Sequence, residues 1–165
     1  MPKRIFISHD FGGTPEAVRL MEILKTAGGS EFRFFLASDS NSLISGEVWL
    51  QHILEELWIS DELIVLITSR ETFARPWVNF QIGVFVGRKR HPKIFVFGAI
   101  LPWKEIPRPI ADFQLTDTGK TDRWINDLKD IGIVLDEQTQ KELAALFRQE
   151  PGVFMADSPF SPGGP

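Results

Sequence analysis

The 165-residue chain has no cysteine, which excludes disulfides and thiolate chemistry and fits a reducing compartment. No apolar run approaches the roughly 18 residues needed to cross a bilayer. The opening "MPKRIFISHD" lacks an apolar core of secretory length, so no signal peptide and a cytoplasmic location are expected. Only three histidines are present, His9, His52 and His91, and their spacing fits no metal-ligand motif. His52 is expected at a surface or boundary position. A formal charge of -4 argues against a nucleic-acid-binding module, whose domains are usually basic. The one dense basic patch, "GRKRHPK" (87–93), reads as a solvated helix end. The chain has no internal repeat, no spaced-glycine dinucleotide fingerprint and no P-loop lysine.

What is present suits one domain with a sizeable core. Four short apolar runs stand out: "RIFIS" (4–8), "FRFFLA" (32–37), "ELIVLITS" (62–69) and "KIFVFGAI" (93–100). They are continuous rather than alternating, as strands buried on both faces read. Helical spacing lies between them. "TPEAVRLMEILKTAGG" begins with Thr14 as N-cap and Pro15 at the first helical position, with Ala17, Met21 and Leu24 on one face. "GEVWLQHILEELWIS" carries a stripe of Trp49, Leu50, Ile53, Leu54 and Leu57. "PWVNFQIGVFVGRKR" is apolar nearly all round and is expected to be deeply packed. This alternation implies a parallel sheet with helices on both faces and right-handed crossovers.

Beyond Ile100 the texture changes. "LPWKEIPRPIADF" has three prolines and cannot form a regular helix. "FQL" (113–115) is a candidate edge strand. "KTDRWINDLKDIGIVL" reads as an amphipathic helix burying Trp124, Leu128 and Ile131, and "EQTQKELAALFRQE" as a further helix. The last residues, "PGVFMADSPFSPGGP", read as linker. The division expected is a domain over 1–136, a C-terminal helix over 137–150, and a tail over 151–165 leading to a missing sensor domain.

In an open parallel sheet, ligands bind outside the carboxyl ends of the strands, near the switch in strand order. That rule selects the loops 8–14, 38–47, 69–77 and 98–109. "DFGGT" in the first reads locally as a flexible turn before a capped helix, with some capacity for phosphate. Ser8, His9 and Asp10 are consecutive and point in different directions, so they do not form a hydrolase triad.

These pieces, in order, resemble a TIR (Toll/interleukin-1 receptor) domain of the bacterial immune-effector type over roughly residues 3–133. "RIFISHD" is similar to the family's first strand, and "LISGEVWLQHILEEL" to its second loop and helix. "SDELIVLITSRETFARPWVNFQIGVF" is similar to its third strand and helix, and "HPKIFVFGA" to its fourth strand. The resemblance implies a flavodoxin-like α/β three-layer sandwich, with a central parallel sheet of about five strands and helices on both faces. Many family members cleave NAD+ at the nicotinamide–ribosyl bond, with NAD+ as substrate and no cofactor. They act as oligomers of TIR copies, with a fused or associated nucleotide-sensing domain and neither nucleic acid nor membrane as partner.

The family's key glutamate lies four positions after a tryptophan. Here the tryptophan is Trp77 and the position is Gln81, the sharpest departure from the pattern. Trp77 and Gln81, one turn apart, are expected to share a face toward the strand ends. Ribosyl bond cleavage passes through an oxocarbenium-like state that an anion stabilises. Glutamine keeps the shape and loses the charge. Three explanations stay open: an engineered replacement, a natural loss in a binding or adaptor domain, or a solvent-facing residue with no role. The resemblance places Ser8, His9, Asp10 and Phe11 along one wall of the site. It places Gly46 where the second loop approaches, and gives Trp77 or Phe11 a stacking role. The alternatives are a non-enzymatic TIR adaptor assembling through loops 38–47 and 98–109, and nucleoside deoxyribosyl transfer.

Overall fold

The computed structural model describes residues 1–38, 49–97 and 103–148. Five strands form one sheet: β1 (Lys3–Ser8), β2 (Phe32–Leu36), β3 (Glu62–Ile67), β4 (Lys93–Val96) and β5 (Leu115–Asp117). All neighbouring pairs are parallel, in the order β2-β1-β3-β4-β5. This is the strand order of flavodoxin-like doubly wound sheets, and its switch point lies between β1 and β3. Among the described residues the α-helices are α1 (Thr14–Gly28), α2 (Trp49–Ile59), α3 (Pro76–Gly87), α4 (Thr121–Asp130) and α5 (Glu137–Arg148). The fold is therefore the α/β three-layer sandwich expected.

The period of two along each strand sorts the core into two layers. Ile5, Ile7, Ile64, Leu66 and Phe95 pack against α1, α4 and α5 through Leu20, Leu24, Trp124, Leu128, Leu143 and Phe147. Phe6, Leu63, Val65, Ile67, Ile94 and Val96 pack against α2 and α3 through Ile53, Leu57, Val78, Ile82 and Phe85. The central strands are buried on both sides, which is why they read as unbroken apolar runs.

Several local expectations shift. Thr14 is the first helical residue of α1 rather than its cap, and Gly13 takes the cap position. Met21 is only half-buried, and Leu20 and Ile23 share the buried face with Ala17 and Leu24. The edge strand begins at Leu115, two residues later than expected, and runs to Asp117. Two short 3-10 turns, Trp103–Glu105 and Ile110–Asp112, flank the prolines that prevent a longer helix. In α2, Ile53 and Leu57 are buried while Trp49 and Leu50 are exposed, so the inward stripe is narrower than the apolar one. Likewise α3 is not packed all round: Phe80, Gly83 and Gly87 face outward.

The basic patch after α3 has a structural use. Arg88 donates from one guanidinium nitrogen to the carbonyls of Leu57 (3.1 Å) and Ser60 (2.9 Å), near the end of α2. Its guanidinium also lies 5.5 Å from the Trp58 ring centroid. Arg90 donates to the Asp61 carbonyl. Cations at the negative end of a helix satisfy carbonyls that have no partner within it. The boundary expectation for His52 holds, since it is half-buried with its ring edge-on to Phe35 at 5.4 Å.

Candidate functional site

The carboxyl ends of β1 and β3 carry a buried polar cluster next to the apolar centre of the sheet. Ser8, the last residue of β1, falls in the same alternation as Phe6 and reaches the α3 side. There its hydroxyl donates to Gln81 Oε1 at 2.5 Å. Gln81 is 0% exposed, and its Nε2 has no hydrogen-bond partner among the described residues. The solvent-facing explanation for this residue is thereby excluded. An amide buried with only one of its polar atoms satisfied carries a desolvation cost of about 1–3 kcal/mol. Native proteins rarely leave such a group without a reason.

Asp10 crosses the switch point. Its side chain is 8% exposed and lies 3.8 Å from the guanidinium of Arg75, which is 59% exposed. Its Oδ1 accepts from the Gly13 N–H at 3.1 Å and from the Thr68 hydroxyl at 3.4 Å. The Gly13 N–H also reaches the Asp10 carbonyl at 3.0 Å, closing a tight turn. A Cβ at Gly13 would sit 2.8 Å from Thr68 Oγ1, so glycine is required for this close approach. The loop after β1 is therefore built against the loop after β3, and the expected "flexible turn" is pinned.

His9 is 4% exposed. Its Nδ1 lies 2.6 Å from the Asp10 carbonyl and its Nε2 lies 3.0 Å from Ser38 Oγ. A carbonyl can only accept, so Nδ1 carries the proton and Nε2 accepts from Ser38. Burial holds the imidazole pKa below its usual 6.5, against the raising influence of Asp10. The ring is neutral at pH 7.

The remaining expected residues separate from this cluster. Phe11 is 67% exposed on the 3-10 turn Phe11–Gly13. Trp77 stacks on Phe80, with centroids 5.4 Å apart, and meets Trp49 of α2 at 4.9 Å. Its ring thus joins an aromatic row between α2 and α3. Gly46 lies outside the described residues, as do most of loop 38–47 and residues 98–102 of the fourth loop. Sequence reasoning passed over Ser38, Thr68 and Arg75 as individual residues. They meet Asp10 and His9 across separations of 29, 58 and 65 positions, which no local spacing reveals.

Two cavities lie elsewhere. One of about 510 Å³ is lined by Arg4, Lys25, Phe32, Arg33, Glu56 and Ser60. Another of about 410 Å³ is lined by His91, Lys93, Asp112, Thr116, Arg123 and Asp127. Both border the amino ends of strands, opposite the rim where doubly wound sheets bind ligands. Neither includes Gln81.

No protein-family model matches this chain, and no curated protein matches it. Solved structures similar to it include the TIR domains of the activated Roq1 resistosome, which directly recognises the pathogen effector XopQ. Identity is 10% and the TM-score 0.48, over 88% of this chain and 83% of that one. A diflavin flavoprotein A3 from Nostoc sp. is similar at 12% identity and a TM-score of 0.39, over 94% and 95% of the two chains. At these values the likenesses add nothing to what strand order and direction already establish: a flavodoxin-like α/β sandwich with a polar cluster at its switch point.

Proposed function

We propose that this chain is a TIR-type NAD+ hydrolase domain whose carboxylate position is held by a neutral amide, so that it binds NAD+ and turns it over weakly. The observation that carries the reading is the Ser8–Gln81 hydrogen bond at the carboxyl end of β1. It holds the buried Gln81 carboxamide against Ser8, the last residue of β1, and the resemblance calls for a glutamate at this helix position. A glutamate of the same shape would accept the same Ser8 hydroxyl. It would add the negative charge that an oxocarbenium-like ribosyl cation needs. Loss of one such electrostatic stabiliser costs on the order of 3 kcal/mol, or a hundredfold or more in rate. Action as an immune effector, assembly with other TIR copies and control by a nucleotide-sensing domain belong to the same proposal.

The test is Gln81→Glu, with the protein crowded on beads and nicotinamide release followed from NAD+. Release is expected to rise a hundredfold or more over the unsubstituted chain. The unsubstituted chain is expected to gain thermal stability with NAD+, as any ligand binding only the folded state confers. A folded Gln81→Glu protein without release, together with no NAD+-dependent stabilisation of either chain, defeats the reading. Base exchange in place of NAD+ consumption would point to deoxyribosyl transfer.

One observation favours a second reading, a non-enzymatic assembly module. Helix α3 has no charged residue over Pro76–Gly87, and its exposed Phe80 continues, through Trp77, an aromatic row that reaches the exposed Trp49 of α2. Exposed apolar groups gathered on one face mark interaction surfaces. Concentration-dependent self-association without any NAD+ response would select this reading.

A further inference from the structure

The hydrogen bonds around His9 set up a chemistry separate from Gln81. The Asp10 carbonyl, 2.6 Å from Nδ1, fixes the tautomer that leaves Nε2 as a base. Nε2 lies 3.0 Å from Ser38 Oγ. The histidine is buried while Ser38, two residues past the end of β2, is exposed. The hydroxyl is thus accessible to a substrate while the nitrogen it faces is shielded from water. A nucleophile, its base and a third group orienting the base are the three parts of an activated-serine site.

We infer that Ser38 and His9 form a nucleophile–base dyad that accepts an acyl group from an activated ester or thioester. Ser38 Oγ attacks the acyl carbonyl carbon and its proton passes to His9 Nε2. The bond from carbon to the leaving oxygen or sulfur breaks, and the leaving group takes the proton from Nε2. Water then repeats the sequence, releasing the acid and restoring both residues. The group orienting His9 is a neutral carbonyl rather than a carboxylate, and it stabilises an imidazolium less than the aspartate of a full triad. That limits the substrates to acyl groups on good leaving groups, such as aryl esters and thioesters. The consecutive run Ser8-His9-Asp10 remains no triad. The serine that His9 meets comes from another strand's loop, and Asp10 contributes its backbone.

The experiment uses the full chain with a fluorophosphonate probe, the adduct located by peptide mass mapping, and with p-nitrophenyl acetate followed for a nitrophenolate burst. Expected are one adduct, at Ser38, and a burst of about one equivalent leaving acetyl on Ser38. Ser38→Ala abolishes both. His9→Gln, checked for folding by circular dichroism, slows both by about a hundredfold, the lower range for general-base assistance. Should His9→Gln not fold, Ser38→Ala and the mapped acetyl site on the unsubstituted chain still decide. An unlabelled folded chain, an adduct spread over other serines, or labelling unchanged in a folded His9→Gln protein overturns the inference. No arm contains NAD+, so this result and the fate of the Gln81 reading are independent.

Discussion

At residue scale the polar cluster is the part of the molecule with most to lose. Ser8→Ala removes the only hydrogen bond that the Gln81 side chain makes among the described residues. The buried amide would then be wholly unsatisfied, and a loss of about 1–3 kcal/mol is expected in urea unfolding. Ser8→Ala combined with Gln81→Val should cost less than Ser8→Ala alone, because neither an orphaned amide nor an orphaned hydroxyl remains. His9 yields a pH dependence whose sign follows from burial. Its folded-state pKa lies below the usual 6.5, so in the window below 6.5 the unfolded chain binds more protons than the folded one. The stability held above 6.5 is lost as pH falls through the folded value. The melting temperature should therefore decline as pH falls below the usual value of 6.5, and His9→Gln should flatten that decline. Asp136, held low first by the Thr139 N–H, and Glu71, held low first by its own backbone N–H, have usual values of 3.8 and 4.5. Their contributions are lost at still lower pH, which keeps the His9 limb separable.

At element scale, the termini of α2 and α3 are joined by Arg88. Two carbonyl acceptors and the Trp58 ring converge on one guanidinium. Arg88→Ala should cost about 1.5–3 kcal/mol, the range for hydrogen bonds to charged groups. Arg88→Lys should recover only part of that, since an ammonium lacks the planar fork. The outward face of α3 permits the opposite kind of change. A Cβ at Gly83 would meet nothing within 4 Å, so Gly83→Ala should stabilise the protein by roughly 0.5–1 kcal/mol, read as a raised unfolding midpoint. Each element was legible in the sequence, because continuous apolar runs and capped helical spacing are local signals. Element faces were read less well. Trp49 and Leu50 continue the apolar stripe of α2 in one dimension, yet they lie where the helix has turned away from the sheet. The start of β5 moved by two residues because "FQL" has the apolar ends of a strand while pairing with β4 engages Leu115, Thr116 and Asp117. The site was half legible. Resemblance led to Gln81, and the strand-end rule led to the loop after β1. Ser38, Thr68 and Arg75 were not individually legible, because three-dimensional adjacency across a switch point leaves no trace in spacing.

At the scale of the whole molecule, α5 belongs to the main core. Phe147 meets Phe95, Phe97 and Trp124 with centroids 6.1, 5.3 and 5.3 Å away, and Leu143 and Leu146 are buried beside it. The helix over Glu137–Arg148 packs with α1 and α4 on one face of the sheet. Phe147→Ala should cost about 3–5 kcal/mol by calorimetry. A chain ended before Glu137 should lose cooperative unfolding, because α1 and α4 would face water.

The alternation along β1 links these scales. Phe6 and Ser8 are directed to the α2–α3 layer, while Ile5 and Ile7 face the α1–α4–α5 layer. Deleting a single residue from the start of this strand, ahead of Ile5, would shift the register of those that follow and turn each of them over: a phenyl group against the wrong helices, and a hydroxyl where oil belongs. Both proposed chemistries therefore hang on the parity of one six-residue segment. Point changes at the rim will tune them one at a time, whereas a frame slip in β1 would erase the pair together.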